Sequence, residues 1–512
     1  METILTKYRG IFATLILLPI SVCYNLCLSI KRKINFWLHS APKKHEQRVN
    51  QIQEELKSWV QNGCKEKLTT GRSGWFTMSE LVPAYKKTNR RIPLNLHDII
   101  EIDEKKGTVR VEPQVNMGQL SAYLLRRGWT VAVLPELDQL TVGGLINGFG
   151  IETSSHKYGL FQYICESFEI VTPDGALLKC DRDENAELFS LIPWSYGTFG
   201  FLVAAELKII PAKKFVRLEY LPVYTQKDLI NQFEKASRSS TYDFVEALVF
   251  SKEESVLLFG TLADKVENDG PKNAIGRWYK EWFFTHVMKY LELKKEGVEY
   301  IPIRHYYHRH TRSLFWMMGQ VIPFGNHPLY RFFFGWAMPP QLSLMKYFET
   351  ETTRKLREKH SVTQDMLVPL DHLKKTLDYF HDNFKIYPLW LCPMAIYENE
   401  SGLGMIHPFT KPDGGQDEMF VDIGAYGIGQ LEGFDGNKAL KACEQFVIEN
   451  DGYQALYAKT FLSVQDFRKM FDHSYYDQLR DQVPFAREAF PDIYDKLSQR
   501  IAPVDYKKIK KK

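Results

Sequence analysis

A continuous apolar run near the N-terminus limits where this chain can fold. Residues 11–30 contain no charged side chain, and three basic residues, 31–33, follow them directly. A helix of about 20 residues crosses the hydrocarbon core of a bilayer. The stronger basic flank lies after the run, so the positive-inside rule keeps the rest of the chain in the cytosol. We therefore predict one N-terminal transmembrane helix; a cleaved signal peptide and a buried apolar helix remain the alternatives.

The composition of the 512-residue chain excludes several classes of protein. A net charge of +4, without any nucleic-acid-reading motif, argues against a nucleic-acid partner. The seven cysteines are irregularly spaced and form no C-x-x-C pair, so we predict neither a metal site nor a disulfide framework. Such cysteine usage is typical of a reduced, cytosol-facing protein. The C-terminal residues 508–512 resemble a dilysine retrieval signal of endoplasmic-reticulum membrane proteins.

Beyond the apolar run, the sequence pattern predicts an α+β chain with three further parts. In the first, residues 36–212, short β-rich runs alternate with brief helices, and glycine and proline mark the joints. The second part, residues 213–462, contains an aromatic-rich segment at 277–345. The third part, residues 463–500, is mainly helical in pattern.

A glycine-rich loop at residues 141–153 is the strongest candidate for a binding site. It contains four glycines within eight residues. Glycine lets backbone N–H groups approach a pyrophosphate closely. The spacing fits neither the G-x-G-x-x-G nor the G-x-x-x-x-G-K fingerprint. Taken alone, such a loop is more often a structural turn than a binding site, so the neighbouring segments decide its interpretation.

Three further segments accompany the glycine-rich loop. A small-residue loop covers residues 69–74, the string HKYG covers 156–159, and PWSYGTFG covers 193–200. This succession resembles the vanillyl-alcohol-oxidase/PCMH superfamily of FAD proteins, although the early loop departs from the usual run of glycines. The resemblance implies a PCMH-type FAD-binding domain followed by an α+β substrate (cap) domain.

The same resemblance implies which residues contact FAD. No His or Cys occurs at residues 65–96, where flavin-attaching members of the superfamily carry one, so we predict that FAD is bound non-covalently. The implied cofactor contacts are Gly71, Arg72, Ser73, Gly74, Thr141, Val142, Gly143, Gly144, Leu145, Ile146, Asn147, Gly148, Phe149, Gly150, Ile151, Glu152, Thr153, His156, Tyr158, Gly159, Ser195, Gly197, Thr198 and Gly200.

Longer strings resemble one family within that superfamily, the delta(24)-sterol reductase (Diminuto/Dwarf) family. They lie at residues 134–146, 154–162, 304–313, 364–369 and 387–393. The resemblance implies an NADPH- and FAD-dependent reduction of the side-chain double bond of sterol intermediates. It also implies a single-pass protein of the endoplasmic reticulum membrane with its catalytic body in the cytosol. A sterol and the membrane are thus the expected partners, and a homo-oligomer and an additional Golgi location stay open.

Two other functions remain as alternatives. One is a different flavoenzyme of the superfamily that oxidises an alcohol or a sugar. The other is a membrane-tethered sterol-binding or scaffold protein without enzymatic activity. A bound-flavin spectrum separates the scaffold from both enzymes.

The reduction of an isolated double bond needs a hydride source and a proton donor. Reduced flavin is a suitable hydride source, so the protein must supply the proton donor in a dry pocket. A positioned His or Tyr can act as a general acid. We predict that the donor is one of four residues in a basic-aromatic strip, or that this strip is purely structural or faces lipid headgroups. The four residues are Tyr306, Tyr307, His308 and His310.

Two further segments have open interpretations. The aromatic-rich segment, 277–345, mixes Lys and Arg with Trp and Phe, which is typical of a membrane-facing lip, but plain core packing explains it equally well. Residues 463–500 resemble the tail that returns to the FAD domain in the family. Tyr475 and Arg480 in this tail are candidate cofactor contacts, with structural packing as the alternative.

Overall fold

The computed structural model describes residues 8–39, 43–77, 81, 83–349, 351–397 and 402–498, so the predicted signal at 508–512 lies outside the described residues. The N-terminal segment is helical, and residues Arg9–Lys31 are long and apolar enough to cross a membrane. Only 28% of its most apolar stretch is buried, which is unlike a core helix. An N-terminal signal sequence has a similar length and composition. The segment consists of helix Arg9–Phe12, π-helix Ala13–Leu17 and helix Leu18–His39.

The first domain contains a six-stranded antiparallel sheet in the order β3-β4-β8-β6-β7, with β5 paired to β8. A separate parallel pair, β1 and β2, carries the early loop. The strands are β1 Leu68–Thr70, β2 Arg90–Ile92, β3 Ile99–Asp103, β4 Thr108–Val111, β5 Trp129–Val131, β6 Cys165–Val171, β7 Leu177–Cys180 and β8 Phe201–Pro211. The helices are His45–Gln61, Tyr85–Thr88, Met117–Leu125, Val142–Asn147, Ser155–Tyr158 and Ala186–Leu191.

The second domain contains an eight-stranded antiparallel sheet in the order β12-β9-β11-β10-β14-β17-β13-β18. Its strands are β9 Phe215–Val223, β10 Phe244–Val249, β11 Ser255–Ala263, β12 Gly297–Pro302, β13 Ser361–Pro369, β14 Leu389–Ala395, β17 Met419–Ile428 and β18 Tyr453–Gln454. Strands β15 Phe409–Thr410 and β16 Gln416–Asp417 form a separate hairpin. The helices are Gln226–Ser237, Phe283–Glu292, Ile303–Tyr307, Met318–Val321, Pro328–Phe334, Leu342–Phe348, Glu351–His360, Leu373–Asn383 and Gly436–Ile448.

The large sheet is covered on both faces at its centre. Every residue of β10 and of β14 is buried, which is why these strands read as nearly continuous apolar runs. Helix Ser155–Tyr158 of the first domain packs against β14, and the N–H of Val245 donates to the carbonyl oxygen of Thr153 at 2.9 Å. One face of the large sheet therefore lies against the first domain.

The aromatic-rich segment divides into a buried part and an exposed part. Tyr306 and Tyr307 are buried in the main core, whereas Phe332, Phe333 and Trp336 are each more than half exposed. The N-terminal helix packs beside the exposed part through Ala13, Leu17 and Leu18. Core packing and an apolar surface are therefore both present within the segment.

The C-terminal segment packs on the first domain. Its Phe490 ring lies 5.4 Å from that of Phe201, centroid to centroid. The mixed α+β architecture agrees with the predicted fold class, including a single apolar helix at the N-terminus. The helices of the segment are Val464–Met470, Ser474–Gln482, Ala486–Ala489 and Ile493–Ser498.

Candidate functional site

A cleft in the first domain is lined by the glycine-rich loop, the early small-residue loop, the segment around 196–202 and part of the C-terminal segment. Loops that are far apart in the sequence therefore form one site. The predicted cofactor contacts that line this cleft are Arg72, Ser73, Thr141, Gly143, Gly144, Leu145, Asn147, Gly148, Phe149, Gly197 and Gly200.

The glycine-rich loop is fixed by its own backbone. Its short helix begins after Thr141, and the N–H of Gly143 donates to the carbonyl oxygen of Pro113 at 2.8 Å. A Cβ on Gly143 would lie 2.8 Å from the Cβ of Pro113, so only glycine lets the two segments meet. A Cβ on Gly144 would meet only Thr141 Oγ1, at 3.2 Å. Since Gly144 lines the cleft, a side chain there would project towards a bound ligand.

The cleft is electropositive. Arg72, Lys86 and Lys496 line it, and its described lining residues include no carboxylate. Lys86 Nζ donates to Thr70 Oγ1 at 2.7 Å, and Lys496 Nζ donates to the carbonyl oxygen of Tyr196 at 2.9 Å. Burial, and then the neighbouring Arg72, lower the pKa of Lys86 to about 7, and burial holds the pKa of Lys496 well below its usual range. An anion stabilises cations that are buried in this way, so the cleft fits a pyrophosphate group.

The remaining predicted cofactor contacts are all described by the structure, and they lie behind the cleft or away from it. His156, for example, is buried with its ring nitrogens 3.0 Å from the Thr153 carbonyl oxygen and 3.1 Å from that of Tyr242. Burial lowers the pKa of His156 to about 4, so its ring is neutral. The residues outside the cleft lining are Val142, Ile146, Gly150, Ile151, Glu152, Thr153, Gly71, Gly74, His156, Tyr158, Gly159, Ser195, Thr198, Tyr475 and Arg480.

The two predicted contacts in the C-terminal segment differ in position. Tyr475 is 45% exposed, whereas its neighbour Tyr476 is buried and donates to Thr198 Oγ1 at 3.0 Å. Arg480 is buried and donates to the carbonyl oxygens of Ala486 and Phe490, each at 2.8 Å. Arg480 thus stabilises the fold of the segment, and Tyr476 connects the segment to the first domain.

The two tyrosines predicted as proton donors lie at the interface between the domains. The Tyr306 hydroxyl lies 3.0 Å from Thr153 Oγ1, and Tyr307 Oη accepts a hydrogen bond from Thr130 Oγ1 at 3.1 Å. Burial raises the pKa of both phenols far above its usual value, so both stay neutral. Neither lines the cleft.

The two histidines of the same strip have different surroundings. His308 lies between Ser121 Oγ, 2.9 Å from Nε2, and Asp138 Oδ1, 2.7 Å from Nδ1. His310 is fully buried, stacks on Phe315 with ring centroids 4.4 Å apart, and has Nε2 3.6 Å from a carboxylate oxygen of Glu246. Burial lowers the pKa of His310 to about 4. The structure therefore brings His310 close to a carboxylate at the interface and holds His308 on the first domain.

A buried arginine connects the two domains through carboxylates. Arg309 Nη2 lies 2.9 Å from Glu246 Oε2 and 3.0 Å from Glu152 Oε1, and all three side chains are fully buried. Burial opposes ionisation of Glu246, but Arg309 and His310 outweigh it and lower its pKa to about 2. Burial raises the pKa of Glu152 against the effect of Arg309, and burial and Glu152 together raise that of Glu136. One cation thus faces more carboxyl groups than it can neutralise.

Two aspartates of the large sheet extend this group. Burial raises the pKa of Asp365 to about 6, although Tyr426 and Tyr457 donate hydrogen bonds to it. Burial, and then Asp365, raise the pKa of Asp422 well above its usual range. Tyr457 also lines the cleft. We use the name acidic cluster for Glu136, Glu152, Glu246, Asp365 and Asp422.

Comparisons with known proteins show which family this chain belongs to. A family model described as a FAD binding domain matches residues 50–181. The delta(24)-sterol reductases of Macaca fascicularis and Homo sapiens are each 47% identical to the chain over 497 residues, which cover 97% of this chain and 95% of each relative. The delta(24)-sterol reductase of Arabidopsis thaliana is 37% identical over 93% of this chain and 89% of its own length.

The chain belongs to the delta(24)-sterol reductase family. It is therefore an oxidoreductase with a FAD-binding domain, as the sequence motifs predicted. The matched FAD-binding region contains the early loop and the glycine-rich loop of the cleft. In this delta(24)-sterol reductase family member, the cation-lined cleft contains loops of the matched FAD-binding region.

Several residues of the site were not identified from the sequence. Lys86 and Lys496 lie in ordinary polar stretches, Lys86 directly before Lys87, and no local pattern separates them from other lysines. Arg309 lies inside the predicted basic-aromatic strip but was not chosen. Asp422 gave a usable signal, because it interrupts an otherwise apolar strand, whereas Asp365 follows other polar residues in its strand.

Proposed function

We propose that this chain is a membrane-attached reductase that uses FAD and NADPH to reduce the side-chain delta(24) double bond of sterol intermediates, as in the conversion of desmosterol to cholesterol. The near full-length similarity to proteins named delta(24)-sterol reductase carries the proposal. The cation-lined cleft supports it, because the cofactor needs an anion site and the reaction needs a redox group.

The residues of the chain have separate tasks in this reaction. The flavin, when bound, supplies the hydride. Gly143 lets the loop pack against Pro113, and Gly144 would let the backbone approach the pyrophosphate. Arg72, Lys86 and Lys496 would neutralise its charge. The buried interface between the domains would help to exclude water from a flavin bound in the cleft. Tyr306, Tyr307, His308 and His310 remain proposed donors or relays of the proton.

Membrane attachment is part of the proposal. The apolar helix packs beside the exposed aromatic surface, and Thr14 Oγ1 lies 2.8 Å from the Tyr330 hydroxyl. Around this contact, Leu329, Phe332, Phe333 and Trp336 are exposed. Exposed apolar patches of this kind are typical of lipid contact, which gives a sterol a route from the bilayer. We propose the cytosolic face of the endoplasmic reticulum as the location.

An anaerobic titration tests the enzymatic function. The purified protein should show a flavin spectrum that NADPH bleaches in the absence of oxygen and that desmosterol then restores, with cholesterol as the product. NADH in place of NADPH is the control for the nucleotide. Restoration by oxygen but by no sterol would instead identify an oxidase, and the absence of a flavin spectrum would favour a scaffold.

Lipid contact has its own test. A photo-crosslinking residue at position 333 should label phospholipid in vesicles of phosphatidylcholine, since Phe333 is 61% exposed beside the apolar helix. The same residue at position 224 is the control, because Tyr224 is also exposed but lies on the second domain away from that helix. Equal labelling at both positions would argue against a specific lipid-facing surface.

A further inference from the structure

One buried face of the large sheet carries carboxyl groups, although its strands are mainly apolar. Asp365 on β13 pairs with Gly424 on β17, and Leu367 on β13 pairs with Asp422. Residues two apart on a strand project to the same face, so Asp365 and Asp422 project to one face of the sheet. Both are almost completely buried. Side chains of this kind are rare inside a protein unless they are paired or functional.

Asp422 has no partner for its charge. Both of its carboxyl oxygens are fully buried, and neither has a hydrogen-bond partner among the described residues. An isolated carboxylate in such surroundings is very costly, so the group keeps its proton instead. Burial, Asp365 and Glu136 all act in this direction and hold the pKa of Asp422 well above its usual range. Asp422 is therefore a buried carboxylic acid whose O–H group is not engaged by the protein.

Asp365 connects Asp422 to the FAD cleft. It accepts hydrogen bonds from the hydroxyls of Tyr426 and Tyr457. Gly424 makes the first contact possible, because a Cβ there would lie 2.6 Å from the Tyr426 hydroxyl and 3.0 Å from Asp365 Oδ1. Since Tyr457 also lines the cleft, Asp365 lies directly behind the cleft wall, and Asp422 lies beyond Asp365 on the same face of the sheet.

The other charged groups nearby already have partners or are further from the cleft. Arg309 is bonded to Glu246 and Glu152, so its charge is used within the interface. His310 lies against Glu246 rather than against the aspartates. The groups that face the two aspartates from neighbouring elements are Glu136, Cys392, Tyr426 and Tyr457. None of them is a cation, so nothing there favours ionisation of Asp422.

We propose that Asp422 is the general acid that gives the proton to the double bond, and that Asp365 is the residue that positions it. The proposal rests on the proposed sterol reductase function. It differs from the four donors predicted from the sequence. Tyr306 and Tyr307 are hydrogen-bonded at the domain interface, and His308 lies against Asp138. His310 has no hydrogen bond among the described residues, but its Nε2 lies 3.6 Å from Glu246, whereas Asp422 faces no ionised partner of its own there.

The step is balanced in atoms and electrons. The π electron pair of the double bond forms a C–H bond with the Asp422 proton at one carbon. A hydride from the reduced cofactor forms the second C–H bond at the neighbouring carbon, so the alkene gains two electrons and the cofactor loses two. The Asp422 carboxylate then takes a proton from solvent. The nearby carboxylate of Asp365 stabilises the positive charge that develops on the carbon that receives the hydride.

The decisive experiment separates reduction of the cofactor from reduction of the alkene. The holoenzyme is reduced with one equivalent of dithionite without oxygen, and desmosterol is then added. The Asp422→Asn variant should be reduced as easily as the wild type but should reoxidise with desmosterol about 10²–10⁴-fold more slowly. Glu444→Gln is the matched control, since Glu444 is another buried carboxyl with a raised pKa, on a helix that does not carry the aspartates. It should reoxidise at the wild-type rate.

An infrared measurement tests the same idea without turnover. A protonated carboxylic acid has a C=O stretching band that a carboxylate lacks. At neutral pH the wild-type protein should show such a band that is absent in Asp422→Asn, whether or not cofactor is bound. A wild-type spectrum in which this substitution removes no protonated-acid band would overturn the proposal.

The role of Asp365 predicts a shift in pH dependence that packing alone would not cause. Its negative charge raises the pKa of Asp422, so Asp365→Asn should lower that pKa. The rate of reoxidation by desmosterol should then fall at a lower pH than in the wild type. If Asp422→Asn does not fold or bind FAD, the pH shift in Asp365→Asn still decides the matter.

The two possible failures are distinguishable. If no sterol reoxidises the reduced wild-type protein, the proposed function is wrong. If desmosterol reoxidises the wild type and Asp422→Asn at equal rates, the function stands and the assignment of Asp422 falls. An unchanged pH profile in Asp365→Asn would remove the positioning role.

Discussion

The cation-lined cleft and the acidic cluster are neighbouring regions that contain opposite kinds of ionisable side chain. The cleft is lined by Arg72 and two lysines without a described carboxylate, whereas the acidic cluster contains five carboxyl groups near a single arginine. The charged groups of both regions are buried, and burial shifts their pKa values towards the neutral form. Lys86 loses affinity for its proton, and Asp422 gains it. The contrast indicates that one region is built for an anionic ligand and the other for holding a proton.

The largest expected effect comes from removing Arg309, the cation that pairs with the acidic cluster. Arg309→Met leaves Glu246 buried without its partner, and we expect a loss of about 3–5 kcal/mol in the free energy of unfolding. Denaturant unfolding measures it. Arg182→Met is the control, because Arg182 pairs with Glu166 at the surface and should change stability by no more than about 1 kcal/mol. Equal losses in both variants would mean that the buried ion pairs of Arg309 contribute no more to stability than an exposed pair.

The second prediction concerns the binding of FAD in the cleft. Gly144→Ala should lower the affinity for FAD by about 100-fold, because the added methyl group projects into the cleft. The apoprotein should not lose stability, since alanine is the better helix former by up to about 1 kcal/mol. Flavin fluorescence quenching and thermal unfolding measure the two effects. Gly319→Ala, a helical glycine with space around it, should leave FAD affinity unchanged.

The third prediction concerns pH. The pKa of Lys86 is about 7 in the folded chain and about 10.5 in the unfolded chain, so the apoprotein should gain stability as pH rises from about 7 towards 10.5. A bound pyrophosphate raises the pKa of Lys86 again, so FAD binding takes up a proton and weakens by up to about tenfold per pH unit above about pH 7. Affinity measured from about pH 6 to about pH 9 checks this. Lys86→Met should remove most of the dependence, and exposed Lys105→Met should keep it.

The smallest expected effect compares two adjacent tyrosines. Tyr476→Phe removes the hydrogen bond to Thr198 and should cost about 1 kcal/mol in the free energy of unfolding. Tyr475→Phe should cost nothing measurable, because Tyr475 is exposed. A loss of FAD affinity in Tyr475→Phe alone would restore Tyr475 as a cofactor contact. Thermal unfolding and FAD titration of both variants decide between the two outcomes.

Local sequence patterns indicated the cleft better than they indicated the acidic cluster. Glycines are informative because their spacing indicates where the backbone must come close to another group, and Gly143 shows this in its contact with Pro113. Helix Gln226–Ser237 was likewise predictable, since Thr225 caps it by accepting from the N–H of Asp228. The glycine-rich loop and the capped helix depend on residues close together in the sequence, or on a residue type with a strong conformational preference.

The acidic cluster depends on contacts between distant parts of the chain. Glu152, Glu246 and Arg309 meet only after two domains pack together, and the strand register decides that Asp422 projects to the same face as Asp365. The sequence offered polar residues in a strip and left the choice among them open. A carboxylate inside an apolar strand, as at Asp422, was the available sign that the strip was not the whole of the interface.

The contact between the apolar helix and the body has a mechanical consequence. Thr14 bonds to Tyr330, and the Ser21 hydroxyl accepts a hydrogen bond from the N–H of Gln341 at 3.1 Å, so the helix is attached about two turns apart. Two attachment points prevent the helix from pivoting freely. If the helix spans a bilayer as proposed, a change in bilayer thickness that tilts the helix must also rotate the body. Lipid chain length would then change the angle between the exposed aromatic surface and the membrane.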